Sequence, residues 1–247
     1  MQSTVRDNTT GDEAPTVAGP TISEVLAAYL ADEKARLAAK TYGLYADVIE
    51  LLQHSLNRYA ANSLDEGEYE LWEELFNAEG DEHREFCEFF GPEHILPNIG
   101  EFLNYFMVSK VMAGQDLLRA SGTVTKKLAK WLADKGYATA EQAEDTVERG
   151  TDAARDLPMA EKLSALLYEL TSNKYIPDDT DIEDRFEIER VESGKIWLKG
   201  CDDGRLLGPI SLPSRATKLC RVGWTISGAV RETGKKWVLV EAWKVYP

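Results

Sequence analysis

Cysteine and histidine are scarce in this chain, three of each in 247 residues. Cys87, Cys201 and Cys220 are odd in number and unrelated in spacing, which does not suggest a disulfide framework and makes a reducing cytoplasm the expected setting. The histidines are His54, His83 and His94, so the longer part of the chain, beyond His94, has none to offer a metal or a proton relay. No apolar run approaches the roughly eighteen residues that a membrane helix needs. The first twenty residues, MQSTVRDNTTGDEAPTVAGP, lack the basic start and apolar centre of a signal peptide. No membrane partner is therefore expected. Also missing are a Gly-x-Ser-x-Gly elbow and a glycine-rich phosphate loop with its lysine, which removes two common enzyme classes. Bases are outnumbered, 28 against 43 acids, for a formal charge of −15.

That charge is unevenly placed. Residues 61–95 carry twelve acids and one base, Arg84, and residues 138–184 carry thirteen acids and four bases. Residues 96–137 reverse the sign with six bases and three acids, and residues 185–247 do so with twelve and seven. Exposed charges more than about 10 Å apart are largely screened at ordinary salt, so an acidic protein can still present a basic face.

Periodicity divides the chain. Residues 1–20 have little to bury and read as a flexible tail. Thr21-Ile-Ser-Glu24 is a capping-box pattern, and Ile22, Val25, Leu26, Tyr29, Leu30 and Leu37 follow at helical spacing. A second helix carries Tyr45, Val48, Ile49, Leu52, Leu56 and Tyr59, and an acidic insert over 61–98 holds a short helix around Trp72, Leu75 and Phe76. A third, largely buried helix runs from Ile99 through Phe106 and Val108 to Met112. The fourth is expected to open at Gly122-Thr123, with Thr123 as its cap, and to close at Gly136. Two further helices are expected over 140–155 and 158–171, the second with Pro158 in its first turn. The acidic, proline-bearing run 176–184 reads as a linker, so 138–184 is an acidic helical spacer.

Beyond it the period becomes two. Phe186/Ile188, Ile196/Leu198, Leu207/Ile210/Leu212, Trp224/Ile226 and Trp237/Leu239 mark five strands, with turns at Gly194, Gly204 and Gly234 and room for a helical turn within Pro213–Cys220. Five strands in about sixty residues suit a small barrel of OB or SH3-like type, because closure removes exposed edges. The expected class is α+β in two domains, a helical one over 21–137 and the barrel over 185–247.

The helices carry a resemblance. TISEVLAAYLADEKARLAAKTYGLYADVIELLQHSL, then EFLNYF and SGTVTKKLAKWLADKGY, together resemble the amino-terminal core-binding, SAM-like domain of phage integrases and other tyrosine recombinases. The matched segments are Thr21–Ala60 and Ile99–Tyr137, under a third of the chain. The resemblance implies DNA as the inherited partner. It does not imply recombination, since the family's His-x-x-Arg element cannot occur where no histidine follows His94. The acidic insert is a further departure from the family's pattern.

Candidate sites follow from these readings. His83, Cys87 and His94 could be zinc ligands by residue type, but their spacing matches no paired-ligand pattern and Cys87 beside Phe86 and Phe89 reads as a small buried hydrophobe. Runs such as Asp65-Glu66-Gly-Glu68 read as solvated faces, not as an acid–base pair with separated pKa values. No catalytic residue, metal or cofactor is expected. In the barrel, Trp197, Trp224, Trp237 and Trp243 alternate with bases, the pattern by which small barrels hold single-stranded nucleic acid, although some of these rings must fill the core. The expected phosphate-binding set is Lys126, Lys127 and Lys130 on the fourth helix with Lys195, Trp197, Lys199, Arg215, Lys218, Arg221, Lys235 and Lys236 in the barrel. The competing expectation is an interaction adaptor whose acidic segments bind a basic protein and whose barrel binds a peptide or ribosomal surface. An acidic mimic of DNA also fits the charge.

Overall fold

A computed structural model describes residues 19–172 and 180–247. The expected tail therefore lies, except for its last two residues, outside the described residues, as does the first part of the expected linker.

The chain enters through the anticipated capping box. The Thr21 hydroxyl accepts from the Glu24 N–H and the Glu24 carboxylate accepts from the Thr21 N–H at 2.9 Å, which starts α1 (Ile22–Lys34). Its stripe of Ile22, Val25, Leu26 and Tyr29 packs with Tyr45, Val48, Ile49, Leu52 and Leu56 of α2 (Ala39–Tyr59) in a single core. The acidic α3 (Glu66–Asn77) buries none of its residues fully. The rest of the presumed insert behaves differently. Phe86, Cys87 and Phe89 in α4 (Phe86–Phe89), then Phe90, Ile95 and Leu96, are core residues, so this segment is part of the helical body's foundation.

The third helix departs from expectation in form. Ile99 opens α5 (Ile99–Glu101), a π-helical turn follows over Phe102–Phe106, and α6 (Met107–Ser109) ends the run. Met112 lies beyond it, fully exposed. The fourth helix is longer than predicted: α7 (Gln115–Asp134) starts after Gly114, and Thr123 lies inside it with its hydroxyl bonded to the Arg119 carbonyl. Its end is as expected. Gly136 has φ +79°, its N–H bonds the Ala133 carbonyl at 3.0 Å, and the Tyr137 N–H reaches the Leu132 carbonyl at 2.8 Å.

The two expected spacer helices are one, α8 (Ala140–Thr171), with Pro158 in its interior. A proline there removes the N–H that would bond the Ala154 carbonyl, but burial on both sides of it keeps the helix continuous. Ala143, Ala153 and Leu157 belong to the helical core, whereas Ala160, Leu163 and Leu167 belong to a second core under the strands. Gly122 of α7 meets α8 backbone to backbone. A Cβ built on Gly122 falls 2.4 Å from the Ala154 nitrogen and 2.4 Å from the Gly150 oxygen.

The carboxy-terminal residues form one mixed sheet of β1 (Ile182–Glu192), β2 (Lys195–Gly200), β3 (Leu206–Ser211), β4 (Thr225–Thr233) and β5 (Lys236–Tyr246). The order is β1-β2-β3-β5-β4, and β4 returns to pair with β1, so the sheet closes on itself. Only the β3–β5 pairing is parallel. The last residues of the expected linker are thus strand. A short helix, α9 (Ser214–Thr217), stands between β3 and β4 as anticipated. The inward alternation Phe186/Ile188, Ile196/Leu198 and Leu207/Ile210 fills the interior.

Substituting Gly122→Ala forces side-chain volume against backbone that cannot step aside, and a loss of about 2 kcal/mol or more in urea unfolding is expected. Gly43→Ala in α2, where a Cβ meets nothing within 4 Å, is expected to stabilise by about 0.5–1 kcal/mol. The thiols supply a second check. Cys201 is exposed, whereas burial pushes Cys87 well up and Cys220 up to about 11. Titration of the native protein with Ellman's reagent should consume the Cys201 thiol promptly, and the other two only in denaturant.

Candidate nucleic-acid interface

The site grows from the alternation of β2. Ile196 and Leu198 point inward and are fully buried, which turns Lys195, Trp197 and Lys199 outward. Three features then fix Trp197. In β1 the register shifts between Ile188 and Arg190, which leaves Glu189 and Arg190 exposed in succession and sets Arg190 opposite Trp197. The Arg190 guanidinium lies 4.5 Å from the centre of the Trp197 ring and pairs with Glu192. On the neighbouring β3, Gly208 offers no side chain. A Cβ there would fall 2.9 Å from Trp197 Cδ1, so the indole lies against the strand backbone. Trp197 is consequently a half-buried plate flanked by exposed lysines two residues away on either side.

A second pair adjoins it. Arg205, just before β3, places its guanidinium 5.0 Å from the Trp237 ring on β5, and Trp237 packs in part against the sheet's core. The registers Lys195↔Ser211 and Ile210↔Trp237 put the β1–β2 turn and the β4–β5 turn at one end of the sheet. Lys235 and Lys236, both exposed, therefore share that end with Lys195. The Thr217 hydroxyl of α9 accepts from the Gly194 N–H at 3.3 Å, which brings α9 to the same end.

The remaining anticipated residues are dispersed. Arg215 turns to Glu169 of α8 at 3.2 Å. Arg221 donates to the backbone carbonyls of Lys218 and Cys220, both at 2.9 Å, and Lys218 is exposed. On α7, Lys126 lies against Gly150 of α8, Lys127 stands 5.5 Å above the Tyr45 ring, and Lys130 is exposed. The three helix lysines thus do not form one open face. Of the four sheet-region tryptophans, Trp224 is buried, Trp197 and Trp237 are half-buried, and Trp243 is exposed.

Sequence reasoning passed over Arg190 and Gly208, and it counted Arg205 only among the bases interleaved with the tryptophans, without its place over the Trp237 ring. Two signals were present: a glycine inside a strand marks a close approach, and the consecutive polar pair Glu189-Arg190 breaks the two-residue period where a bulge sits. The zinc candidates face different neighbours. Cys87 is wholly buried with its thiol 3.8 Å from the Gln53 carbonyl, His83 Nδ1 lies 2.7 Å from the Phe76 carbonyl, and His94 Nε2 lies 3.6 Å from Glu68. Among the described residues no group of three or more His, Cys, Asp or Glu side chains is placed to hold a metal. No helix among them is long and apolar enough to cross a membrane. No family model, curated protein or solved structure matches the chain, so its function rests on what its own side chains can do.

Proposed function

We propose that the chain is a non-catalytic nucleic-acid-binding protein whose main contact is the outer face of β2, and that its sheet is a barrel of the OB kind. The strand order with its parallel β3–β5 pairing, and the helix between β3 and β4, favour OB over SH3-like. In that architecture the β2–β3 face and the β1–β2 and β4–β5 loops hold oligonucleotides. The observation that carries the reading is Trp197, held flat on Gly208 between Lys195 and Lys199 with a guanidinium stacked beside it.

The chemistry suits a single strand better than a duplex. A base can stack on the open side of the Arg190 guanidinium that lies over the indole, while the lysines meet phosphates. Phosphate contacts alone position a protein without reading sequence, so broad sequence tolerance belongs to the proposal. The integrase-like reading of α1, α2 and α7 enters as a secondary surface on which the exposed Lys130 adds a phosphate contact, Lys126 and Lys127 being partly engaged elsewhere. A DNA partner is the inherited expectation from that resemblance, and RNA is chemically equivalent at the β2 face.

Fluorescence anisotropy with labelled single-stranded DNA, single-stranded RNA and duplex DNA across a salt series tests this. Single strands are expected to bind more tightly, with log affinity falling by about 0.7 per neutralised phosphate for each decade of salt. Trp197→Ala should weaken binding by about tenfold, within the 1–3 kcal/mol range of one stacked base. Lys195→Glu with Lys199→Glu should weaken it further and flatten the salt slope. Binding unaffected by both changes would remove the β2 face from consideration, and no binding at low salt would end the nucleic-acid reading.

A further inference from the structure

A second surface, remote in sequence and opposite in charge, has its own aromatic organisation. On α3, Tyr69, Trp72 and Phe76 follow at helical spacing and touch in series. Tyr69 and Trp72 have ring centres 5.6 Å apart, Trp72 and Phe76 stack at 4.9 Å with planes 22° apart, and His83 continues the row 5.3 Å beyond Phe76. The His83 Nδ1 lies 2.7 Å from the Phe76 carbonyl, which ties the end of the row to the helix. This ladder is only half seated. Leu71, Trp72 and Leu75 rest in part against the helical core, but Tyr69 is 41% and Phe76 37% exposed. An amphipathic helix ordinarily turns its aromatic stripe inward.

The surroundings decide what can cover it. Glu66 and Glu73 stand three and four residues from Tyr69, and Glu73 stands three from Phe76, so both edge the ladder. Asp81 and Glu82 lie near its far end in sequence. Among the described residues no lysine or arginine forms an ion pair with any carboxylate of residues 61–95; their partners are His83 and His94. Arg84, the one base of that segment, spends its guanidinium on the Asp81 and His83 backbone carbonyls. A partly exposed row of aromatic rings edged by carboxylates that pair with no lysine or arginine among the described residues attracts cations and repels phosphates.

We infer that this face of α3 docks an arginine-rich extended segment of a partner protein. Guanidinium suits it better than ammonium, because it is planar, weakly hydrated and stacks on aromatic rings while bonding carboxylates in a fork. From Tyr69 to Phe76 the helix rises about 10 Å. Alternate side chains of an extended strand recur every roughly 7 Å, so two arginines separated by one residue cover most of the ladder and a third in the same alternation reaches past its end. A second copy of this chain is the poorer occupant, because Arg190, Arg215 and Arg231 already pair with Glu192, Glu169 and Asp181, and Arg185 and Arg205 already lie over the Tyr246 and Trp237 rings. The inference is independent of nucleic-acid binding at β2.

Anisotropy of a fluorescein-labelled nonapeptide of alternating arginine and serine, titrated with the full chain, tests it, with a lysine–serine peptide beside it. The arginine peptide is expected to bind more tightly, and Tyr69→Ala with Phe76→Ala to weaken it about tenfold, the worth of two partly desolvated cation–π contacts. Glu66→Gln with Glu73→Gln should also weaken it. Glu144→Gln with Glu148→Gln, an equal charge change on α8, should leave it nearly unaltered. The four glutamates are exposed, so the glutamine variants should melt with wild type, and they remain informative if the alanine pair is destabilised by loss of its ring contacts. Equal loss from both glutamine pairs would reduce the effect to net charge and overturn the inference. So would absence of peptide binding, or self-association that the Tyr69/Phe76 variant abolishes.

Discussion

The crossing of α7 and α8 is the contact on which both halves of the molecule depend. Gly122 and Gly150 bring the two backbones together, and Ser121, Thr125, Ala129, Thr146 and Ala153 keep the surrounding seam small and buried. Two polar members of that seam are tied to their own helix, Ser121 to the Leu118 carbonyl at 2.8 Å and Thr146 to that of Gln142 at 2.9 Å, whereas the buried Thr125 hydroxyl has no partner among the described residues. Helix α8 then runs on for its full 32 residues, about 48 Å, so what is fixed at its first half is transmitted to its second. Pro158 stands between the two burial regimes, with Leu157 in the helical core and Ala160 in the core of the sheet.

The sheet takes its orientation from that second half. The Val245 N–H donates to Ser164 Oγ at 2.8 Å, Lys244 meets Glu161 at 3.3 Å, and Tyr246 and Ser109 bring their hydroxyls to 3.1 Å. Each of these contacts engages the end of β5. A closed sheet docked along one strand must leave another strand's outer face to solvent, and here that strand is β2 with Lys195, Trp197 and Lys199. The exposed platform is therefore a consequence of where α8 lies.

Much of this was legible from residue order. Period-two alternation located all five strands because inward Ile196, Leu198, Leu207 and Ile210 had no other way to be buried together. Thr21-x-x-Glu24 and Gly136 marked helix ends because capping is local chemistry, complete within a few residues. Where tertiary packing overrides local preference, the reading failed. Pro158 and the Gly122-Thr123 pair both signal a helix boundary, and both lie inside helices whose neighbours compensate. Cys87 was legible as a buried residue beside Phe86 and Phe89, but Phe90, Ile95 and Leu96 were hidden in a segment whose acid content suggested a solvated insert. The arginine–tryptophan stacks joined residues 7 and 32 positions apart, pairings that only strand register and side-chain reach determine.

Charge segregation connects the two surfaces. If the acids of residues 61–95 folded against the bases of residues 185–247, both would be neutralised and neither would be available. The fold prevents this by construction. Helix α3 rests on α4 and the helical core, whereas the sheet is carried on α8, and its arginines take partners from their own neighbourhood: Glu169, Asp181 and Glu192. The pairing tempers the positive field of the sheet without covering Lys195 and Lys199, and among the described residues the carboxylates of α3 pair with no lysine or arginine. On the two proposed readings, a polyanion would be turned away from α3 and toward the sheet, and a polycation the reverse, because each field reaches only about a Debye length before salt extinguishes it. Opposite ligands can then be held on one chain without competing for the same face.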